Sequence, residues 1–570
     1  MPSIFYILLR RLRMPLIVLI LIYAVSILGF VIIPGQDDQG QVWRMSFFHA
    51  FYFVSYMAST IGFGEIPYAF TDGQRLWATF TIYASVIGWI YSIGATLGVL
   101  QDPAFVRLRR EHVFRRAVQQ LRTPFYLVCG YGDTGSTLVQ ALADDGIPSV
   151  VIDLDENRIN ELLLTDFLSR PLGMVGDASK PVVLERAGVT SRWCMGCIAL
   201  TDSDQANLLI ALCTEVLNPP LRLLARAETA EMAANIGSFG GNEAINPFET
   251  FAGQLELALN APCHYTLSSW LSGMPHQLLS EPVFPGRGTW VLAGFGRFGK
   301  ALYRRLQASG IQVQVIDVRE SHTRLPGGSI IGLGTEADTL KAAGVESATG
   351  IVAGTPDDGN NLSILMTARE LNPGLFTVAR QNQRDNGLIY DRAGFHLTMK
   401  RGDVIAHRIY ALLRTPLIRD FLGLAMQQDR AWVNQLLSRI IGVVEDEVPF
   451  LWEVQVSMNA APALFEVCMQ DDVLLEHLLR HPRARERRVA AIPLLIKREG
   501  SSQLLPGDDT VLQVRDRILM CARRPVQGEM GWACQNHTVL HYLRTGEELS
   551  GSWIWRRWRE WRQVPSARTE

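Results

Sequence analysis

Two stretches of this 570-residue chain, Met14 to Ile33 and Leu76 to Leu100, contain no charged residue. Each reaches the length of about 20 residues that a helix needs to cross the hydrocarbon of a bilayer. A secretory leader has a shorter apolar region and a small-residue cleavage site. The flanks also argue against a buried helix of a soluble protein. Arg10, Arg11 and Arg13 precede the first stretch, and Arg107, Arg109, Arg110, Arg115 and Arg116 follow the second. Between them stand Asp37, Asp38, Glu65 and Asp72 against only Arg44 and Arg75. This asymmetry puts the N- and C-termini in the cytoplasm and the 34–75 stretch outside. A multi-pass protein of the cell inner membrane, in contact with lipid, is expected.

Beyond Gln101 the pattern changes to that of soluble α/β protein. The formal net charge is −2 and no basic surface is concentrated in one region, so no nucleic-acid partner is expected. The eight cysteines are scattered. Cys194 and Cys197 form a C-x-x-C with no second pair, and read as buried thiols leading into a strand in preference to a zinc or redox pair.

A third apolar stretch, Met45 to Ser59, lies between the two spans and is too short to cross. It runs into Thr60-Ile61-Gly62-Phe63-Gly64-Glu65. A re-entrant helix followed by an extended loop is permitted at membrane depth only where it lines a watery path or is covered by protein. Gly62 and Gly64 allow backbone angles closed to other residues, so successive carbonyls can face one way. The segment resembles the T-V-G-Y-G filter of potassium channels, whose carbonyls replace the hydration shell of the ion. Ile61 stands for Val and Phe63 for Tyr, the latter losing a hydroxyl that braces the loop. The resemblance implies potassium ions at Thr60, Ile61, Gly62 and Phe63, Glu65 at the outer mouth, and a homotetramer, since one loop supplies a quarter of the ring.

The second span carries Gly88, Gly94 and Gly98, which suit either close helix packing or a bend used in gating. Near its cytoplasmic end, Ile93, Leu97 and Leu100 are candidates for an apolar gate that closes by dewetting.

After a charged segment, the strand Phe125 to Cys129 leads into Gly130-Tyr131-Gly132-Asp133-Thr134-Gly135, and the next strand ends at Asp153. G-x-G-x-x-G at a strand-to-helix turn lets backbone amides approach a diphosphate, and an acid at the end of the second strand can receive a ribose diol. The arrangement recurs in Gly294-Phe295-Gly296-Arg297-Phe298-Gly299 and Asp317. Later marks repeat as well: Asn207 with Asn361, Asn218 with Asn372, and Arg226 with Arg380. This is an internal duplication.

Both copies resemble the RCK (or KTN) domain that regulates potassium channels and transporters. The likeness is clearest in Val175-Gly176-Asp177-Ala178 and Glu185 to Val189, and Leu505 to Asp509 with Val511 to Leu519 looks like the family's C-terminal lobe. The resemblance implies a ligand-gated potassium channel whose gating ring takes NAD, ADP or another adenine nucleotide. Asp177 and Ala178 would lie on the adenine side of copy one. Arg297 and Arg319 are phosphate candidates in copy two, or solvated surface charge. The family's calcium site uses two carboxylates near Ala225 to Glu228. Here Arg226 takes one of those places, so calcium is doubtful there and open elsewhere.

The expected fold is a membrane α-helical two-transmembrane pore with pore helix and filter loop, fused to tandem α/β Rossmann-like RCK domains, as a tetramer. Its divisions are a pore domain at 1–100 (spans about 14–33 and 76–100, pore helix about 45–59, filter 60–65) and a linker at 101–123. The first copy with its crossover helices covers 124–285, the second 286–425, and the C-terminal lobe and tail 426–570. Trp553, Trp555, Trp558 and Trp561 in the tail suggest a helix packed on that lobe. No Cys/His or Tyr/Lys constellation follows either glycine loop at catalytic spacing, so an enzyme is not expected. A membrane-tethered dehydrogenase and a nucleotide-binding regulator of a separate transporter both leave the filter motif without a purpose.

Overall fold

The computed structural model describes residues 4–239, 241–318 and 325–548. Arg319 and the tryptophan-rich tail lie outside these residues. The chain divides into two compact units, Met1–Gln120 and Leu121–Glu570.

The described residues of the first unit form four helices: α1 (Ile4–Ile32), α2 (Phe47–Ala58), α3 (Asp72–Gln101) and α4 (Pro103–Gln120). Ser46 starts α2, its hydroxyl accepting the His49 amide at 3.3 Å, as an N-cap should. The helices meet where apolar side chains interdigitate: Ile27, Phe30, Met45, Ala50 and Val54 form the buried centre, with Trp77 packed against it. Gly88 lets α3 approach α1, since a Cβ there would lie 2.5 Å from Ile22 Cδ1. For Gly88 the packing reading therefore holds. At Gly94 and Gly98, such a Cβ would have no described atom outside its own turn of helix within 4 Å. The expected linker is largely helical. Pro103 has no amide hydrogen to continue α3, but its fixed φ suits the first turn of a new helix, and α4 starts there.

The second unit holds two six-stranded parallel sheets of identical order. In copy one, Phe125–Cys129 is flanked by Ser149–Asp153 and Cys194–Ala199. Leu172–Val175 lies beyond the former, and Leu223–Arg226 then Glu243–Ile245 beyond the latter. Copy two repeats this around Trp290–Ala293. This is the doubly wound order whose ligand crevice opens at the central strand, where the winding reverses. The repeated asparagines have matching structural roles. Asn207 and Asn361 each donate at 2.9 Å to the carbonyl of the paired arginine, Arg226 or Arg380.

The helices that follow the two sheets are exchanged. Phe248, Phe251 and Leu255 of the Pro247–Asn260 helix are buried with Trp290, Leu292, Phe298 and Leu302 of copy two. Reciprocally, Ile405, Ala406 and Ile409 of the Arg401–Arg414 helix are buried with Leu138, Leu142 and Val151 of copy one. The sequence divisions at 285 and 425 therefore do not divide the cores. Beyond them, a four-stranded antiparallel sheet, centred on Arg517–Ala522 and Ala491–Arg498, forms the C-terminal lobe.

Candidate functional site

In the filter segment, positive φ recurs at every second residue: Thr60 at 63°, Gly62 at 65° and Gly64 at 73°. Ile61 and Phe63 remain on the negative side. Alternation of hand turns successive peptide planes so that their carbonyls share one side of the loop, as a cation ladder requires. Glycine at positions 62 and 64 removes the steric cost of the left-handed angle. The loop is braced from α2. Tyr56 Oη donates to the Glu65 carbonyl at 2.9 Å, and Tyr52 Oη to Glu65 Oε2 at 3.1 Å. The Tyr56 ring also meets Phe63 edge-on, with centroids 6.1 Å apart. The hydroxyl lost by having Phe63 is thus supplied by neighbours that the sequence reading did not single out. Ile93 and Leu97 stand exposed on the last turns of α3; the side chain of Leu100 lies outside those described.

In copy one, helix α5 (Asp133–Asp144) begins at the glycine loop. The loop tolerates no side chain at its crossing point: a Cβ on Gly135 would lie 2.0 Å from the Gly130 carbonyl oxygen. Asp153, almost fully buried, accepts the Tyr131 amide on Oδ2 at 2.5 Å and the Asp155 amide on Oδ1 at 2.8 Å. The glycine loop and its acid are therefore brought together, and a carboxylate has lone pairs left for a diol. Arg158, which the motif does not predict, lies 3.7 Å from Asp153 Oδ2. Gly176 at the next strand end donates to the Asp153 carbonyl at 2.8 Å. Asp177 is engaged by its own turn: the Ser179 hydroxyl, opposed by burial and helped by the Ser179 amide and Lys180, holds its pKa below the usual carboxylate value. Ala178 is buried beside it.

A cavity of about 540 Å³ opens at Gly132, Asp133 and Thr134. Its remaining walls include Arg158 and Arg226 of copy one but also Arg384, Lys400 and Arg401 of copy two. Arg384 Nη1 reaches the first turn of α5, donating to Ser136 Oγ at 2.9 Å. Both copies thus face one chamber, in which these cations stand among the carboxylates Asp133, Asp202, Asp391 and Asp403.

Copy two has the same loop geometry. A Cβ on Gly299 would lie 2.0 Å from the Gly294 carbonyl oxygen, Gly296 caps the Arg297–Ala308 helix, and Asp317 Oδ2 accepts the Phe295 amide at 2.5 Å. Phe298 is core. Arg297 is not simply solvated: its Nη2 lies 2.7 Å from Glu228 Oε2 in copy one. The Glu228 carboxylate also receives Arg401 Nη1 at 2.9 Å and the guanidinium of Arg226. Burial alone would raise the Glu228 pKa, but Arg226, Arg401 and Arg297 outweigh it and hold the group below its ordinary value. Three guanidinium groups on one carboxylate disfavour calcium at the 225–228 stretch, where a dication would meet like charge.

The TrkA-N domain family matches residues 126–247 and 290–400, and the ion-channel domain family matches residues 16–102. Potassium channel protein 1 of Methanocaldococcus jannaschii is 27% identical over 250 residues, covering 44% of this chain and 70% of that protein. Probable potassium channel protein 2 of the same organism is 29% identical over 240 residues, covering 41% of this chain and 63% of that protein. Among solved structures, the GsuK channel bound to NAD aligns over 93% of this chain and 99% of that one, at 15% identity and a TM-score of 0.46. With an ion-channel module followed by two TrkA-N domains, the chain belongs to the potassium channels that carry RCK domains.

Proposed function

We propose that this chain is one subunit of a homotetrameric, potassium-selective channel of the cell inner membrane, opened or closed by an adenine nucleotide in the copy-one crevice. The 540 Å³ chamber carries this reading, because the first glycine loop forms one wall and residues 384–403 of copy two form another. A dinucleotide or nucleoside diphosphate there would lay its phosphates on the start of α5, between Arg158, Arg384 and Arg401, with Asp153 receiving ribose hydroxyls. Filling the chamber then favours one spacing of the two copies over another, and a ligand shifts a gate only by such a preference. The GsuK structures with NAD and with ADP concern a channel of similar design. Here Thr60 to Phe63 supply the potassium ladder, and Ile93, Leu97 and Leu100 the gate. Potassium flux from liposomes holding the purified chain, scanned across NAD, NADH, ADP, AMP, ATP and calcium, tests the reading. At least one nucleotide should change flux at least several-fold; flux indifferent to all of them would refute nucleotide gating.

A further inference from the structure

The duplication permits a comparison at the ends of the sheets opposite the glycine loops. There, copy one carries Arg222 just before the Leu223–Arg226 strand and Glu243 at the start of the next, ion-paired at 3.5 Å. Arg419 joins the same carboxylate. Copy two keeps the strand register, and its matching positions hold Phe376 and Leu397. Beside them, Gly241 and Asn242 of copy one are replaced by Phe395 and His396. An ion pair in one copy stands where the other has aromatic and apolar groups.

Those groups wall a cavity of about 630 Å³ at the amino ends of the second sheet's strands, closed in part by residues 280–284. The nucleotide crevice of such folds opens at the other end, beyond the carboxyl ends of the strands. The His396 ring stacks on Phe376, with centroids 4.6 Å apart and planes at 25°. Its Nδ1 accepts the amide of the fully buried Thr377 at 3.0 Å, which keeps the imidazole neutral with its proton on Nε2. Burial, then Arg369, holds its pKa below the ordinary value.

Among the described residues that line the cavity, Glu281 alone carries a fixed charge. Its carboxylate and the Tyr265 hydroxyl, also in the wall, have no hydrogen-bond or ion-pair partner among the described residues. Phe284, in the same segment as Glu281, is 64% exposed, so its ring is not part of the core. Arg369 lies 5.4 Å from the Phe395 ring centroid and donates to the Ala393 carbonyl at 2.8 Å. The face of Phe395 is therefore already occupied by a cation, whereas Phe284 and Glu281 are free.

Ring faces and one carboxylate, with no arginine or lysine in the wall, disfavour phosphates. A divalent metal ion needs more oxygen ligands than one carboxylate and one phenol supply. A cation with an apolar body meets both features at once: aromatic faces attract the charge within about 6 Å, and the body displaces water from the rings. The volume falls within the range of about 300–1,000 Å³ usual for small-molecule sites.

We propose that this cavity binds a small organic ammonium ion, its charge beside Glu281 and Phe284 and its apolar body against Phe376. The site is separate from the copy-one chamber and does not rest on nucleotide binding there. Its occupant would fasten the segment joining the copies to the second sheet.

The test titrates the full channel in detergent, at fixed potassium concentration, by calorimetry. The probes are choline and benzylamine, each against its neutral counterpart, 3,3-dimethylbutan-1-ol and benzyl alcohol. At least one ammonium should bind saturably, about fivefold or more tightly than its neutral counterpart. Glu281→Gln and Phe284→Ala, both at exposed positions, should each weaken binding several-fold while leaving the melting temperature of the free channel unchanged. The double variant should bind neither probe. Binding that survives the double variant lies elsewhere on the channel, the pore included, and overturns the proposal. Equal affinity for the neutral counterparts, or no binding of either ammonium, would overturn it as well.

Discussion

Arg297, at the first turn of the copy-two glycine-loop helix, forms an ion pair with Glu228, just beyond the fifth strand of copy one, across 2.7 Å. The two nucleotide folds are thereby tied at the loops that would bind ligand, and Arg401 closes the tie from the exchanged helix. Removing the carboxylate leaves Arg226 and Arg401 with Asp202 alone and frees the largely exposed Arg297. Glu228→Gln should therefore destabilise the protein by about 1–3 kcal/mol, the cost of leaving charged donors short of an acceptor, measured by denaturant unfolding.

The same network fixes the sign of an acid effect. Glu228 and Asp202 both have folded pKa values below their ordinary ones, burial being outweighed by the arginines. A depressed carboxylate contributes stability above its unfolded pKa, and that contribution is lost as pH falls through the folded value. Wild type should keep this contribution at neutral pH and lose it below the ordinary carboxylate range of about 4. Glu228→Gln should show a flatter acid limb in thermal melts taken across pH.

Arg380 predicts the opposite sign. Burial first, then Arg401, pushes its pKa down to about 10. A cation whose folded pKa is depressed destabilises the fold while charged, and the penalty is relieved as pH rises through about 10. Arg380→Met at neutral pH should raise stability by about 1–3 kcal/mol. The gain over wild type should shrink above pH 10. A melting temperature below that of wild type would contradict it.

The filter brace gives a graded prediction. Tyr56→Phe removes the hydroxyl that donates to the Glu65 carbonyl, a loss of about 0.5–1.5 kcal/mol. Current should remain potassium-selective, with shorter open bursts in planar bilayers. Gly62→Ala places a Cβ on a residue at φ 65° and should abolish selective current, because the strain acts on the carbonyl ladder itself.

What was legible in the sequence was local or repeated. The filter is a run of six residues between two uncharged stretches, and each glycine loop is written in one segment with its acid at a fixed offset. The asparagine marks were visible as repeats, and the structure gives them the same bond in each copy. The helix exchange was not legible, because the periodicity that makes Phe248 to Leu255 apolar suits either sheet. Neither was the Glu228 cluster, since Arg401 lies 173 residues further along the chain. Comparing the copies position by position could have pointed to it, through Asn382 standing opposite Glu228. Nor was the brace from Tyr52 and Tyr56 legible, because it depends on where the loop sets Glu65 against the pore helix.

Single-channel recording of wild type and Asp153→Ala, across a nucleotide titration under a potassium/sodium gradient, tests the central claim most directly. Wild type should reverse near the potassium potential, and nucleotide should change its open probability. Four crevices biased by about 1 kcal/mol each would shift the open/closed ratio several-hundred-fold. Asp153→Ala should move the response to higher concentration, with conductance and reversal unchanged. A wild-type reversal near zero, or an unshifted nucleotide response in Asp153→Ala, would contradict the account.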